Sequence, residues 1–211
     1  MKRLPEPPYY LENAHYEIWP SEQIIHRIHL TEFDATQFNP GEGTSTRFAP
    51  FQNDNGVSVP TLYGGSTLQA ALHETIFHDQ PDGSIKKTVP IQHLFERTHS
   101  TIYAEVDLRL VSLRNPNLGQ WSISTNQLIN TNSSAYPHTV QWAQAVYRSF
   151  KDAHGMIWTS NQCDPDSSMV IFGDRIQSQQ LTAKSSRYGN DEGLKEDTRA
   201  EGKRRGITLI F

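Results

Sequence analysis

The chain is predicted to fold as α+β, with mixed or antiparallel sheets flanked by helices. Strand-like runs recur along its 211 residues, at 24–30, 59–63, 101–108, 156–159 and 168–172. Only two long stretches carry helical periodicity, 66–78 and 137–150. Strand and helix therefore do not alternate as a doubly wound parallel sheet requires, and there is no internal repeat.

Residues 1–23 are rich in proline and aromatic side chains and are expected to drape over the domain as an irregular arm, pinned by Trp19 and Pro20. The β-branched run Ile24-Ile25-His26-Arg27-Ile28-His29-Leu30 has the length of a strand, and Asn39-Pro40-Gly41-Glu42-Gly43 must be loop. Val59 to Tyr63 is a short strand that Gly64-Gly65 is expected to break. Ser66 and Gln69 then form a capping pattern for a helix running to about His78. Its apolar stripe of Leu68, Ala71, Leu72, Thr75 and Ile76 leaves Glu74 at the border of the core side.

Thr101 to Leu108 alternates as a half-buried strand should, with Val111-Ser112-Leu113 continuing it after a bend. Residues 115–136 are polar and irregular with one short helical turn. Pro137 suits the first turn of a helix that buries Val140, Ala143, Val146, Tyr147 and Phe150 and ends at Gly155. Two strands follow, and residues 174–206, charge-mixed and without periodicity, are expected to form a solvated loop or short helix before strand-like residues 206–211. The chain thus divides into an arm at 1–23, a domain at 24–176 and a charged extension at 177–211.

At roughly 100 to 200 residues per domain, this length suits one core with decorations. Lysine and arginine total 19 against 23 acidic residues, a net charge of −4, so no overall positive field exists to gather nucleic-acid backbones and direct nucleic-acid binding is not expected. The single cysteine, Cys163, cannot form an internal disulfide, which suits a reducing compartment and makes the cytoplasm the expected location. The N-terminus lacks the apolar region of a signal peptide, and no apolar run approaches the ~18 residues of a membrane span, so no membrane partner is expected.

Five polar residues sit at the edges of apolar elements, where a fold holds groups against a ligand. Arg27 lies mid-strand and needs an anion or several acceptors, because desolvating it unpaired costs several kcal/mol. Either a ligand phosphate or an internal carboxylate would serve. Arg47 beside Phe48 follows a glycine-containing loop and is either a phosphate ligand or a surface residue. Tyr63 can present a flat face to a base or nicotinamide ring, or pack in the core. Glu74 can stabilise a cationic transition state, or be a solvated helix residue. Ser160 can hydrogen-bond a sugar or amide, or cap the next loop. Two arginines, a tyrosine, a glutamate and a serine suit a phosphorylated nucleoside better than a metal.

Other chemistries lack their signatures. Thr159-Ser160-Asn161 has neither the glycine elbow nor the lysine partner of a serine nucleophile. Among the nine histidines, His26 and His29 would point to opposite faces of a strand. Neither His73 with His78 nor His93 with His99 has the His-Glu-x-x-His form, so no metal site is expected. There is no Walker loop, and Gly41-Glu42-Gly43 is too short to be a phosphate cradle.

Taken in order, the phrases His26-Arg27-Ile28, Thr46-Arg47-Phe48, Leu62-Tyr63 leading to Ala71-Leu72-His73-Glu74, and Gly155 to Ser160 followed by Val170-Ile171-Phe172 resemble the RES domain, named for its Arg, Glu and Ser. The resemblance covers about residues 24–176. It implies an ADP-ribosyltransferase-like fold and a toxin that consumes NAD+ as substrate, without a further cofactor, neutralised by an Xre-type antitoxin protein. Carried over by matching phrases, Glu74 and Arg27 would be catalytic, with Arg27, Arg47, Tyr63 and Ser160 contacting NAD+. Asn161-Gln162 stands where members often have a basic residue. The acceptor is open: water for a glycohydrolase, phosphate for a phosphorylase, or a macromolecule for an ADP-ribosyltransferase. A catalytically silent partner-binding module is the alternative of another class, and a homo-oligomer is compatible with all of these.

Overall fold

The computed structural model describes residues 4–77 and 87–210. Its strands are β1 (Tyr16–Trp19), β2 (Ile25–Leu30), β3 (Thr61–Gly65), β4 (Lys87–Pro90), β5 (Arg97–Ala104), β6 (Leu108–Ser112), β7 (Gly155–Thr159), β8 (Ser167–Phe172), β9 (Leu181–Tyr188) and β10 (Ile207–Ile210). The helices are α1 (Leu68–Thr75), α2 (Gln92–Phe95), α3 (Thr125–Leu128), α4 (Tyr136–Ser149) and α5 (Glu192–Arg204). One eight-stranded sheet runs β1-β6-β7-β8-β3-β2-β5-β9, with β6 and β7 parallel and its other neighbours antiparallel. A separate parallel pair joins β4 to β10. The α+β expectation of mixed and antiparallel sheets with flanking helices holds.

Burial explains where the helices lie. On α4, Trp142, Ala143, Val146 and Tyr147 share a stripe that packs against Val111, Met156, Trp158, Val170 and Phe172 of β6, β7 and β8. A second cluster sits around Ile25, Leu62, Ile102, Leu110, Ile157 and Ile171. The third joins Leu68, Leu72, Ile76 and Phe77 to Leu194 of α5 and to Val89 and Ile207 of the small sheet. Alternate residues of each central strand thus serve different clusters, as the period of two dictates. Among the described residues, no helix is long and apolar enough to cross a membrane.

Several boundaries differ from expectation. Gly64 and Gly65 do not break their strand; both belong to β3, where they permit close approach. A Cβ on Gly64 would stand 2.3 Å from Ile25 Cγ2, and one on Gly65 2.9 Å from Ala70 Cβ. Helix α1 is capped by Thr67, whose Oγ1 accepts the Ala70 N–H at 3.1 Å, while Ser66 Oγ instead accepts the Ser167 N–H at 2.9 Å. The expected end at His78 lies outside the described residues, as does Phe211 of the terminal strand.

The run expected as one bent strand over 101–113 is two strands in distant places. β5 lies between β2 and β9, and β6 between β1 and β7. The arm contributes β1, whose Tyr16 to Trp19 pair with Leu108 to Val111. The largest difference lies in residues 174–206, which hold the edge strand β9 and the helix α5 rather than a loop. The sheet therefore continues past residue 176.

Candidate active site

The sheet has one place where neighbouring strands barely touch. β2 and β3 are bridged at a single pair, His26 with Gly65, and beyond it they diverge. Thr61, at the far end of β3, exchanges backbone hydrogen bonds with Asn39 instead, at 2.8 and 2.9 Å. The opening holds a cleft of about 550 Å³, a size suited to a small-molecule ligand. Arg27, Ile28 and His29 line it from β2, Thr61 and Tyr63 from β3, Thr46 and Arg47 from the connecting loop, and Glu74 from α1.

Arg27 is 7% exposed, and its Nη1 donates to the Ala35 carbonyl at 2.7 Å. Burial lowers its pKa to about 10, which still leaves it charged at neutral pH. Arg47 is 8% exposed; its Nη1 donates to Thr131 Oγ1 at 2.7 Å and its guanidinium lies 5.6 Å from the Tyr136 ring centroid. Its buried Nε has no partner among the described residues. Among those residues, neither guanidinium has a carboxylate within 4.0 Å. Among the described residues, no internal ion pair accounts for Arg27 structurally. Two buried cations that face one cleft with no directly paired carboxylate among the described residues favour an anionic occupant.

Tyr63 is a tether as well as a ring. Its phenolic oxygen accepts the Phe48 N–H at 3.0 Å and lies 2.9 Å from Thr46 Oγ1. Thr46 gives its own proton to the Ala49 carbonyl at 2.9 Å, so the phenol donates to Thr46. This bonding fixes the loop that carries Arg47. Burial raises the phenol's pKa well above its ordinary value, so it stays neutral. The ring packs edge-on to Trp158, with centroids 6.4 Å apart.

Glu74 Oε1 accepts hydrogen bonds from Ser160 Oγ at 3.3 Å and Ser168 Oγ at 3.2 Å. Both serines are 1% exposed. Ser160 is thus behind the carboxylate rather than on the cleft wall, and its hydroxyl meets Glu74. The structure brings Arg27, Arg47, Tyr63 and Glu74 to one cleft, with Ser160 supporting the last.

Sequence reasoning passed over three further residues. His29, on the same strand face as Arg27, donates from Nδ1 to the Leu30 carbonyl at 2.9 Å and accepts at Nε2 from Ser100 Oγ, also at 2.9 Å. Burial and then the Arg27 charge lower its pKa, keeping it neutral. Its position two residues from Arg27 was the signal. Arg97 lines the cleft while its Nη1 donates to the His93 carbonyl at 2.6 Å. Nothing in the sequence marks it, nor Ser168, because strand pairing alone brings them here. Among the described residues, no group of three or more metal-binding side chains forms a candidate metal site.

Comparison with known proteins places this geometry among relatives. The model of the RES domain matches residues 24–190. A search of curated proteins found no match. Among solved structures, a chain of the crystal structure of the M. tuberculosis MbcT-MbcA toxin-antitoxin complex is similar, with a TM-score of 0.59 and 17% identity over 84% of this chain and 89% of that one. At that identity the likeness concerns the fold.

Proposed function

The chain belongs to the RES domain family, and from that premise we propose that it is an NAD+-consuming toxin that cleaves the nicotinamide-ribose bond and is neutralised by an antitoxin. The observation that carries this reading is the pair of buried guanidiniums, Arg27 and Arg47, without carboxylate partners among the described residues and in the same cleft as Glu74. A dinucleotide's pyrophosphate supplies the missing negative charge. Held there, the substrate is positioned against Glu74 before the bond breaks, which removes the entropic part of the barrier.

When the glycosidic bond breaks, its electron pair passes to the positively charged pyridinium nitrogen and neutral nicotinamide leaves. The ribose becomes an oxocarbenium-like cation, which the Glu74 carboxylate stabilises electrostatically. Ser160 and Ser168, both donating to Glu74 Oε1, hold that carboxylate in one orientation. Tyr63 lines the cleft and in this reading its ring shields the leaving group, while its hydroxyl secures the arginine loop. An acceptor oxygen then bonds to ribose C1 and gives up its proton.

The neutralising partner is inferred from the family and from the similar solved structure, which is that of a toxin-antitoxin complex; an Xre-type protein is the expected class. The test is nicotinamide release from NAD+ by the purified, partner-free protein, with and without inorganic phosphate. We expect release that Glu74→Ala lowers at least a hundredfold, and growth arrest on expression that Arg27→Ala or Glu74→Ala relieves. Intact NAD+ would overturn the reading. Labelled ADP-ribose retained on macromolecules would replace it with transferase activity.

A further inference from the structure

On the face of the sheet opposite Arg27 and His29, three side chains form a line across three strands. Ile28 is paired with His99, and His99 with Arg187, so period-two alternation sets His26, His99 and Arg187 on one face. His26 Nδ1 is 3.0 Å from His99 Nε2, with the ring planes 8° apart. His99 Nδ1 receives Arg187 Nε at 3.4 Å and Nη2 at 3.2 Å. Arg187 Nη1 in turn meets Asp197 of α5 at 2.8 Å.

The direction of this chain is fixed by the guanidinium, which only donates. His99 Nδ1 must therefore accept, which leaves the proton of neutral His99 on Nε2. That proton is donated to His26 Nδ1. His26, also neutral, then carries its own proton on Nε2. Burial and neighbouring cations lower the pKa of both rings, that of His99 to about 3, so both are neutral at physiological pH.

His26 lines a second, smaller pocket with Ile28, Tyr63, Gly64, Ala71, Glu74, Thr75 and Ser168. Ile28, Tyr63, Glu74 and Thr75 also line the main cleft, so the two are contiguous. Its volume of about 20 Å³ suits a single water, which needs ~10–15 Å³ by this measure and two to four polar partners. His26, Glu74 and Ser168 are among the polar side chains that line it.

We propose that this pocket is the subsite of the attacking water, and that His26, held in one tautomer by His99 and Arg187, is the residue that positions it against Glu74. The inference rests on the NAD+-cleaving reading and deepens it. The water accepts the His26 Nε2 proton as a hydrogen bond and donates one of its own protons to the Glu74 carboxylate. Once the C1–nitrogen bond has broken, the water's remaining lone pair attacks the oxocarbenium-like ribose C1. The water's proton passes to Glu74 and then to solvent, leaving ADP-ribose and nicotinamide.

Two measurements test this. Nitrogen-15 spectra of histidine-labelled protein are expected to place the protons of His26 and His99 on Nε2, and Arg187→Met is expected to mix the tautomers. A proton on Nδ1 of His99 in the unaltered protein would overturn the relay without any assay of activity. In the second, His26→Leu is expected to lower kcat for ADP-ribose formation at least tenfold with KM for NAD+ within twofold of the parent. His26→Gln, which keeps an N–H donor, is expected to recover part of that loss. Parental kcat in His26→Leu, or a change in KM alone, would refute the water subsite while leaving NAD+ cleavage standing. An unaltered protein that releases no nicotinamide would refute both.

Discussion

Glu74 draws on two serines, and this redundancy sets what a single substitution does. Ser160→Ala removes one donor and leaves Ser168 in place. At about 1 kcal/mol for one hydrogen bond, kcat for nicotinamide release is expected to fall about fivefold. The double substitution with Ser168→Ala is expected to cost more than the sum, because the carboxylate is then unrestrained; steady-state kinetics of the three variants decide it. Ser160 was legible from the order of the motifs, yet its task was not. A serine closing a strand reads equally as ligand contact or support, and only the pairing of β7 with β8 shows it beneath a carboxylate. Arg27 was legible for a firmer reason, since a guanidinium among isoleucines demands an anion or several acceptors wherever it points.

The elements most readily found were those with one apolar face, such as α4. β9 was missed because it is an edge strand whose side chains are largely exposed, so Leu181 to Tyr188 shows no apolar alternation. α5 was legible only as one of two options, a loop or a short helix, because Thr198, Glu201 and Gly202 make up most of its buried stripe, with Leu194 its one large apolar member. Glu201 is buried there by receiving His73 Nε2 at 2.8 Å, a partner 128 residues away. The Gly64-Gly65 pair was seen as a breaker when its use is proximity. Gly64→Ala would drive a methyl into Ile25 beside the single bridge between β2 and β3. We expect a loss of about 2 kcal/mol in urea unfolding and a raised KM for NAD+. Gly119→Ala, where an added Cβ meets nothing within 4 Å, is the control and is expected to leave both unchanged.

Across the whole molecule, buried and half-buried histidines make stability depend on pH. His26, His29, His73 and His99 all have lowered pKa values, with burial the leading cause in each. The unfolded chain takes up protons that the folded one refuses, so the contribution is complete above the ordinary histidine pKa and is lost as pH falls from there. For His99, 4% exposed and with a pKa of about 3, the window runs from near 6.5 down to 3. At pH 5.5 that one residue is expected to cost about 1.4 kcal/mol relative to alkaline conditions. The Tm should therefore fall between pH 7.5 and 5.5, and fall less in His99→Gln. An unchanged pH slope in that variant would reassign the effect to other groups.

The lone bridge between His26 and Gly65 also has a mechanical meaning. The sheet is laced from edge to edge except at this seam, which divides a flap of β2, β5 and β9 from the other five strands. Arg27 and His29 belong to the flap, and Tyr63 to the opposite margin. The cleft between them is walled by both sections, so its shape is set by how the two sit against each other. What joins the two sections along this line is chiefly side-chain packing, with Ile25 and Ile102 of the flap in one buried cluster with Leu62 and Ile171, and not a backbone ladder.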